Sequence, residues 1–323
     1  MIKPVELSKK MEKKAICVVC GSEKLVSFCY NAIICNSCKQ VVRNAEKSPM
    51  AHIDNPKRRN KLYHCVRADV NLYWKLNEFS VLMKNLTVID ANRADTFLKS
   101  QKLGDLSLDD VMSTGLIKFT PRSQCMMTSH DWAALQMVTT IEFMKKLHFV
   151  KFLSREDIKK FIKGTYFKCA IFFLAQRSFS DRMDVMSFPG GKDVFPEESE
   201  EVQKAFSDIF KWIRGKLVEK FIEINVTKEE LLLLTIISVC DPNMLLLSEQ
   251  SRAFVSQYYN HHAKMLSDYC LLRHQSNGPA RFADLVSILQ LLNRTMIYLE
   301  YTLHLFEMKR PDIRLKKIVR DFF

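Results

Sequence analysis

Four cysteines near the start of the chain have the type and spacing that bind a metal. Cys17 and Cys20 form one Cys-x-x-Cys pair, Cys35 and Cys38 form a second, and fourteen residues separate the pairs. A structural zinc takes four thiolate or imidazole ligands in a tetrahedron, and each pair can present two sulfurs from one tight turn. Gly21, directly after Cys20, suits the positive φ that such a turn demands. One pair alone is a weak sign. Two at this spacing point to one zinc ion held by Cys17, Cys20, Cys35 and Cys38. Redox chemistry of a Cys-x-x-Cys pair belongs in a βαβ setting, which neither pair has. Cys29, between the pairs, reads as a buried apolar residue, as do Cys125, Cys169, Cys240 and Cys270 in helical apolar patterns.

The residues after the second pair could read a polyanion. Lys39 and Arg43 stand four apart, as on one side of a helix whose other side carries Val41 and Val42. A helix anchored by zinc with basic residues outward can enter a major groove and donate to guanine O6 and N7 or to phosphates. A small zinc knuckle with a solvated helix satisfies the same spacing equally well. Lys57, Arg58 and Arg59 form a basic run that fits phosphate contacts, a nuclear import signal or a solvated loop.

The elements that position these residues follow from composition and periodicity. The chain has 323 residues, 47% of them hydrophobic, and a formal charge of +13, which favours polyanionic partners. The excess is concentrated: residues 1–80 hold fifteen Lys and Arg against seven Asp and Glu. The first fifteen residues have no apolar core of the secretory kind, and the longest apolar run, LLLLTIISVC, is too short to span a bilayer. An intracellular chain with reduced thiols and no membrane span is expected.

From about residue 80 onward the periodicity is almost wholly helical. ALQMVTTIEFMKKLHFVKFL gathers Leu135, Val138, Ile141, Phe143 and Leu147 on a helix. Ser154 followed by Asp157 predicts a helix start, and the all-round apolar stretch Cys169 to Ala175 predicts a helix through the middle of a core. FPGGKDVF predicts a tight turn or small hairpin; Thr227 with Glu230 predicts a capping box on a helix that Pro242 stops. Two long helices, near 248–273 and 279–308, complete a single α-helical domain of about 240 residues.

Residues 17–43, CVVCGSEKLVSFCYNAIICNSCKQVVR, resemble the first zinc finger of nuclear hormone receptors, particularly divergent nematode members. The likeness rests on Cys17, Cys20, Gly21, Tyr30, Cys35, Cys38, Lys39 and Arg43. Gln40, Val41 and Val42 replace a glycine and two aromatics of the family's helix. Tyr63 and Cys65 resemble the start of the family's second finger, yet Asn71 stands where its next cysteine belongs and the last two are missing. The second zinc site is therefore lost. TTIEFMKKLHFVKFLSREDIKKFIKGTYF is similar to the third-to-fifth-helix stretch of the family's ligand-binding domain, and KEELLLLTIISVCDPN to its eighth helix and following turn.

The resemblance implies a mainly α fold: a degenerate zinc-finger module over 14–79, then an α-helical sandwich of the ligand-binding type over 80–323. It implies an apolar pocket for a lipophilic ligand, for which Met137, Phe143, Met144, Phe172 and Phe173 are candidates, although such stripes are more often plain core. It also implies a groove for an amphipathic coregulator helix. Lys145 and Lys163 match the family's basic positions. The terminal IVRDFF matches its last helix, with Ile318, Val319, Phe322 and Phe323 inward and Asp321 as the acid. Such a clamp works because a cation meets the docked helix's C-terminal carbonyls and an anion its N-terminal amides. Aspartate in place of the family's glutamate shortens the reach by one methylene.

No phosphate-binding glycine loop, His-Glu-x-x-His pair or Gly-x-Ser-x-Gly elbow occurs, and an enzyme is not expected. Two readings remain. One is a nuclear transcription factor with zinc-dependent DNA binding, a ligand, coregulators and a homo- or heterodimeric partner. The other is a receptor-derived interaction protein that has lost DNA binding and acts by pairing with intact receptors.

Overall fold

The computed structural model describes residues 26–29, 32–36, 56–113, 115, 117–123, 126–242 and 244–322. The chain divides into two compact units, Met1–Leu82 and Met83–Phe323. In the first unit, β1 (Val26–Cys29) pairs antiparallel with β2 (Ala32–Cys35), Val26 opposite Cys35 and Cys29 opposite Ala32. Helix α1 spans Pro56–Lys99. Proline suits a first helical position, and no further proline or glycine interrupts the sequence to Lys99. Tyr63 and Cys65, where the sequence resembles the start of a second finger, lie in this helical backbone.

The second unit is helical, as its periodicity predicts. A short helix α2 (Leu108–Ser113) precedes α3 (Ser129–Lys145) and α4 (Arg155–Ser180). Thr128 and Asp131 form a reciprocal capping box on α3. Ser154 Oγ accepts from Asp157 N at 3.1 Å to start α4. The Asp157 carboxylate is committed elsewhere. It accepts from Ser248 N, Ser248 Oγ and Ser251 Oγ at 3.1, 2.6 and 2.7 Å, joining the start of α4 to the start of α8 (Glu249–His274). These donors hold its carboxyl well below the usual carboxylate range.

Helix α4 packs against α3 on one side and against α6 (Ser207–Glu223) and α7 (Lys228–Val239) elsewhere, so its middle is enclosed all round. Phe161, Ile162, Cys169, Ala170, Phe172, Phe173 and Ala175 are each 0% exposed. Between α4 and α6 the chain forms a small hairpin, β3 (Ser187–Phe188) against β4 (Lys192–Asp193), and then α5 (Glu200–Ala205). Gly190 and Gly191 have φ of 76° and 75° at its turn, a region open to glycine without strain. Helix α9 (Gly278–Lys309) covers α8 and α6, and α10 (Lys317–Arg320) lies on α3.

One buried ion pair braces the far side. Glu230, 0% exposed, completes the capping box of α7 by accepting from Thr227 N at 2.8 Å. Arg281 of α9 donates to both of its oxygens, at 2.8 and 2.5 Å, and to the carbonyls of Ile224 and Asn225 that follow α6. Burial pushes the Glu230 carboxyl up, while Arg281 and Thr227 together pull it further down, for a net fall below the ordinary glutamate value.

Candidate functional site

The zinc ligands proposed from spacing fall mostly outside the described residues. Cys17, Cys20 and Cys38 lie outside them, as do Lys39 and Arg43; Cys35 ends β2. The hairpin suits the proposed knuckle. Antiparallel pairing sets the start of β1 beside the end of β2, and from those ends the chain runs on to the two cysteine pairs. Lys57, Arg58 and Arg59 occupy the first turn of α1, so this basic run is helical backbone. Cys125 is outside the described residues. Cys169, Cys240 and Cys270 are buried and free, and burial raises all three thiols, to about 12 for Cys169 and about 11 for Cys270. Protonated thiols of this kind neither ligate metal nor exchange disulfides.

A cavity of about 90 Å³ lies between α3, α4, the β3–β4 hairpin and α9. Its walls include Ala133 and Met137 of α3, Ala170, Ile171 and Leu174 of α4, Phe188 and Phe195 by the hairpin, Leu303 and Phe306 of α9, and Leu315 and Val319 by α10. Polar lining groups are largely committed within the protein. Ser129 Oγ donates to the Asp193 carbonyl, Gln136 Nε2 to the Ala170 carbonyl, and Thr302 Oγ1 to the Leu299 carbonyl. What remains is an apolar wall. At about 90 Å³ the cavity falls well short of the roughly 300 Å³ that a drug-sized ligand needs.

Of the five pocket candidates only Met137 lines this cavity. Phe143 and Phe173 meet edge to face at 4.9 Å, and the Arg93 guanidinium sits 3.7 Å above Phe173. Phe172 packs edge-on against Phe221 at 5.7 Å, and Met144 is 0% exposed. These four are core. On a helix, neighbours diverge by about 100°, so Ala170, Ile171 and Leu174 face the cavity while Phe172 and Phe173 face away.

The residues proposed for a coregulator groove meet around α2. Asp321 Oδ2 accepts from Leu108 N at 2.6 Å, at the start of α2. Lys145 Nζ donates to the Val111 carbonyl at 2.7 Å, near its end, and to Glu142 Oε1 at 2.7 Å. The anion is thus at the helix's amide end and the cation at its carbonyl end, the favourable sense for both. Lys163 is exposed and is not part of this arrangement; the lysine of α4 that reaches α2 is Lys159, 2.8 Å from Asp109 Oδ1. Asp105, just before α2, accepts from Lys317 N at 2.8 Å.

Asp321 is held in place through α10. The Tyr166 hydroxyl donates to the Ile318 carbonyl at 2.7 Å, Phe322 stacks on Phe167 at 4.4 Å, and Ile318 and Val319 are buried. Burial, with the Asp321 charge nearby, pushes the Tyr166 phenol up, so it stays a donor. Helix α2 itself was missed by sequence reasoning. A usable sign was present: Ser107 and Asp110 form a reciprocal cap, and Leu108, Val111 and Met112 follow at helical spacing.

Residues 119–309, more than half of the chain, match the family model for the ligand-binding domain of nuclear hormone receptor. The chain belongs to the nuclear hormone receptor family. It is similar to nuclear hormone receptor family member nhr-27 of Caenorhabditis elegans, 32% identical over 94% of this chain and 91% of the relative. Family members nhr-167 and nhr-9 of the same organism are each 28% identical, the latter over 99% of both chains. The match to nhr-9 takes in the cysteine-bearing start as well as the helical part. A divergent, nematode-type member of a family of non-enzymatic receptors fits both the sequence and the fold. Among the described residues no helix is long and apolar enough to cross a membrane.

Proposed function

We propose that this receptor is a transcription factor of the nucleus, binding DNA through one zinc module and answering to a lipophilic ligand and coregulator helices through its helical domain. The observation that carries the reading is the extent of the likeness, over nearly the whole of nhr-27 and nhr-9, combined with two Cys-x-x-Cys pairs in a basic head. Cys17, Cys20, Cys35 and Cys38 hold one zinc, and Lys39 and Arg43 face the DNA with Lys57, Arg58 and Arg59 adding phosphate contacts. A ligand enters the apolar cavity only as the hairpin and α10 draw back from their present positions, because about 90 Å³ is too little for it. Elemental analysis should find one zinc per chain, lost in Cys20→Ser. Gel shifts at near-physiological salt should show the zinc-loaded chain binding DNA tighter than a Lys39→Ala/Arg43→Ala variant. Equal binding by the two would end the DNA-reading role.

A second reading rests on the outer helices. Leu271 and Leu272 of α8 and Ile297 and Tyr301 of α9 are 46, 50, 62 and 44% exposed. Apolar side chains left in water on neighbouring helices suit a dimer surface, and with the second finger lost the chain would act by pairing with an intact receptor. Sedimentation of the purified chain with and without such a receptor separates the readings: pairing that Ile297→Glu abolishes, with DNA ignored, favours the second.

A further inference from the structure

The segment that occupies the space beside Lys145 and Asp321 belongs to the chain itself. Helix α2 reads Leu-Asp-Asp-Val-Met-Ser, with Leu108 and Val111 3% and 0% exposed and Met112 partly covered. Its first amide is held by Asp321 and its Val111 carbonyl by Lys145. Lys159 pairs with Asp109, and Asp105 accepts from the first residue of α10. The helix therefore touches the end of α3, the second turn of α4, and α10. Both α2 and α10 lie outside the residues that match the family model.

We infer that α2 is an internal stand-in for a coregulator helix and keeps the docking site closed until it is displaced. The inference rests on the reading of the α3–α4–α10 surface as the coregulator site. Three observations carry it. The apolar side chains of α2 point inward at i, i+3 and i+4, the pattern of a helix laid in a groove. Its two ends meet an acid and a base in the sense that a docked helix requires. And the segment is an excursion closed at its base, where Ser100 pairs with Pro121, Gln101 N donates to the Thr120 carbonyl and Arg122 N to the Lys99 carbonyl.

That closure matters energetically. A short tether holds its segment at an effective concentration of order millimolar, so even weak intrinsic affinity keeps the groove filled against a micromolar competitor. An external partner binds with its affinity reduced by the fraction of chains whose groove is open. The internal helix also describes that partner: an amphipathic helix with apolar residues at i, i+3 and i+4 and an acid directly after the first, placed to meet Lys159.

The test uses the full-length chain and a fluorescein-labelled peptide of its own residues 103–113, LGDLSLDDVMS, read by fluorescence anisotropy. Leu108→Asp/Val111→Asp empties the groove and should bind the peptide at least about tenfold tighter than the unaltered chain. Adding Lys145→Met to that variant should abolish the gain. Equal affinity of the unaltered and double-variant chains overturns the closure while leaving the docking site standing. A folded double variant that binds no peptide overturns the docking site and the closure with it. Tight binding that survives Lys145→Met places the peptide elsewhere and also overturns the inference. Should the double variant fail to unfold cooperatively, Ser107→Ala/Asp110→Ala removes only the exposed cap of α2. It should tighten peptide binding about fivefold, and no change would count against closure.

Discussion

Two places in the helical domain use charge on helix ends, and they do it differently. At the far side, Arg281 caps the carbonyls after α6 and Glu230 caps the first turn of α7, and the two ions also pair with each other at 2.5 and 2.8 Å. At the near side, Lys145 and Asp321 cap opposite ends of α2 but face different atoms of it, with Val111 O and Leu108 N as their partners. Glu230 is wholly buried, whereas the Lys145 side chain keeps 20% of its surface. A desolvated pair that satisfies itself is a strut, because removing either ion strands the other. A pair held together only through an intervening helix is a latch: remove the helix, and Asp321 is left to water or to a different helix while Lys145 keeps its bond to Glu142.

The strut should give the largest effect. Arg281→Met leaves Glu230 buried without its partner and should cost about 3–5 kcal/mol, read as the shift in urea midpoint. The sign with pH follows from the lowered Glu230 carboxyl. A carboxyl depressed in the folded state contributes stability that is fully present above its unfolded value of about 4.3 and fades as pH falls through the lower folded value. The gap between the two proteins should therefore be widest near neutrality and narrow as pH falls, because Glu230, still pushed up by burial but no longer held down by Arg281, takes up its proton first in the variant. Replacing both ions, Arg281→Met with Glu230→Leu, should recover part of the loss. A gap that stayed constant with pH would break the contrast with the latch.

The strut was legible in the sequence only in part. Thr227 and Glu230 announce the start of α7 as a capping box, and the structure builds it, but nothing local says that Arg281, fifty-one residues on, will share that carboxylate. Long-range pairing carries no period. Helical elements were readable because each repeats its apolar signal over several turns, as in α3, α4, α8 and α9, and the hairpin because of its paired glycines at positive φ. The latch was half legible. Lys145 and Asp321 could be named from a resemblance, whereas six residues of α2 are too short for periodicity to register. Pocket residues were the least readable. Where α4 is apolar on every side, composition does not say which side meets the cavity, and so Phe172 and Phe173 were as plausible as Ala170 and Leu174.

A middle-sized effect should come from the element that supports the latch without being part of it. Tyr166→Phe removes the donor to the Ile318 carbonyl while keeping the ring that packs near Phe322. Leaving that buried carbonyl unpaired should cost about 1–3 kcal/mol. The cost should also be local. Hydrogen exchange should quicken at residues 317–321 of α10 and, through Asp321, at the start of α2, with α7 and α9 unchanged. Faster exchange spread evenly over the domain would mean that α10 is part of the general core, and the division between strut and latch would blur.

The smallest effect should come from the latch itself. Asp321→Asn keeps an acceptor for Leu108 N but removes the charge at the amide end of α2. A charge near a helix terminus contributes about 0.3–1 kcal/mol, so global stability should barely move. The change should appear instead in how often α2 leaves its site. Exchange at the amides of residues 108–112 should rise by about two- to fivefold at low salt, and the difference should shrink in about 0.5 M salt, where surface charges are screened. The Arg281 pair, shielded from solvent, should show no such salt dependence. Identical salt responses at the two sites would mean that both are held in the same way, and α2 would then be as permanent a part of the domain as α7.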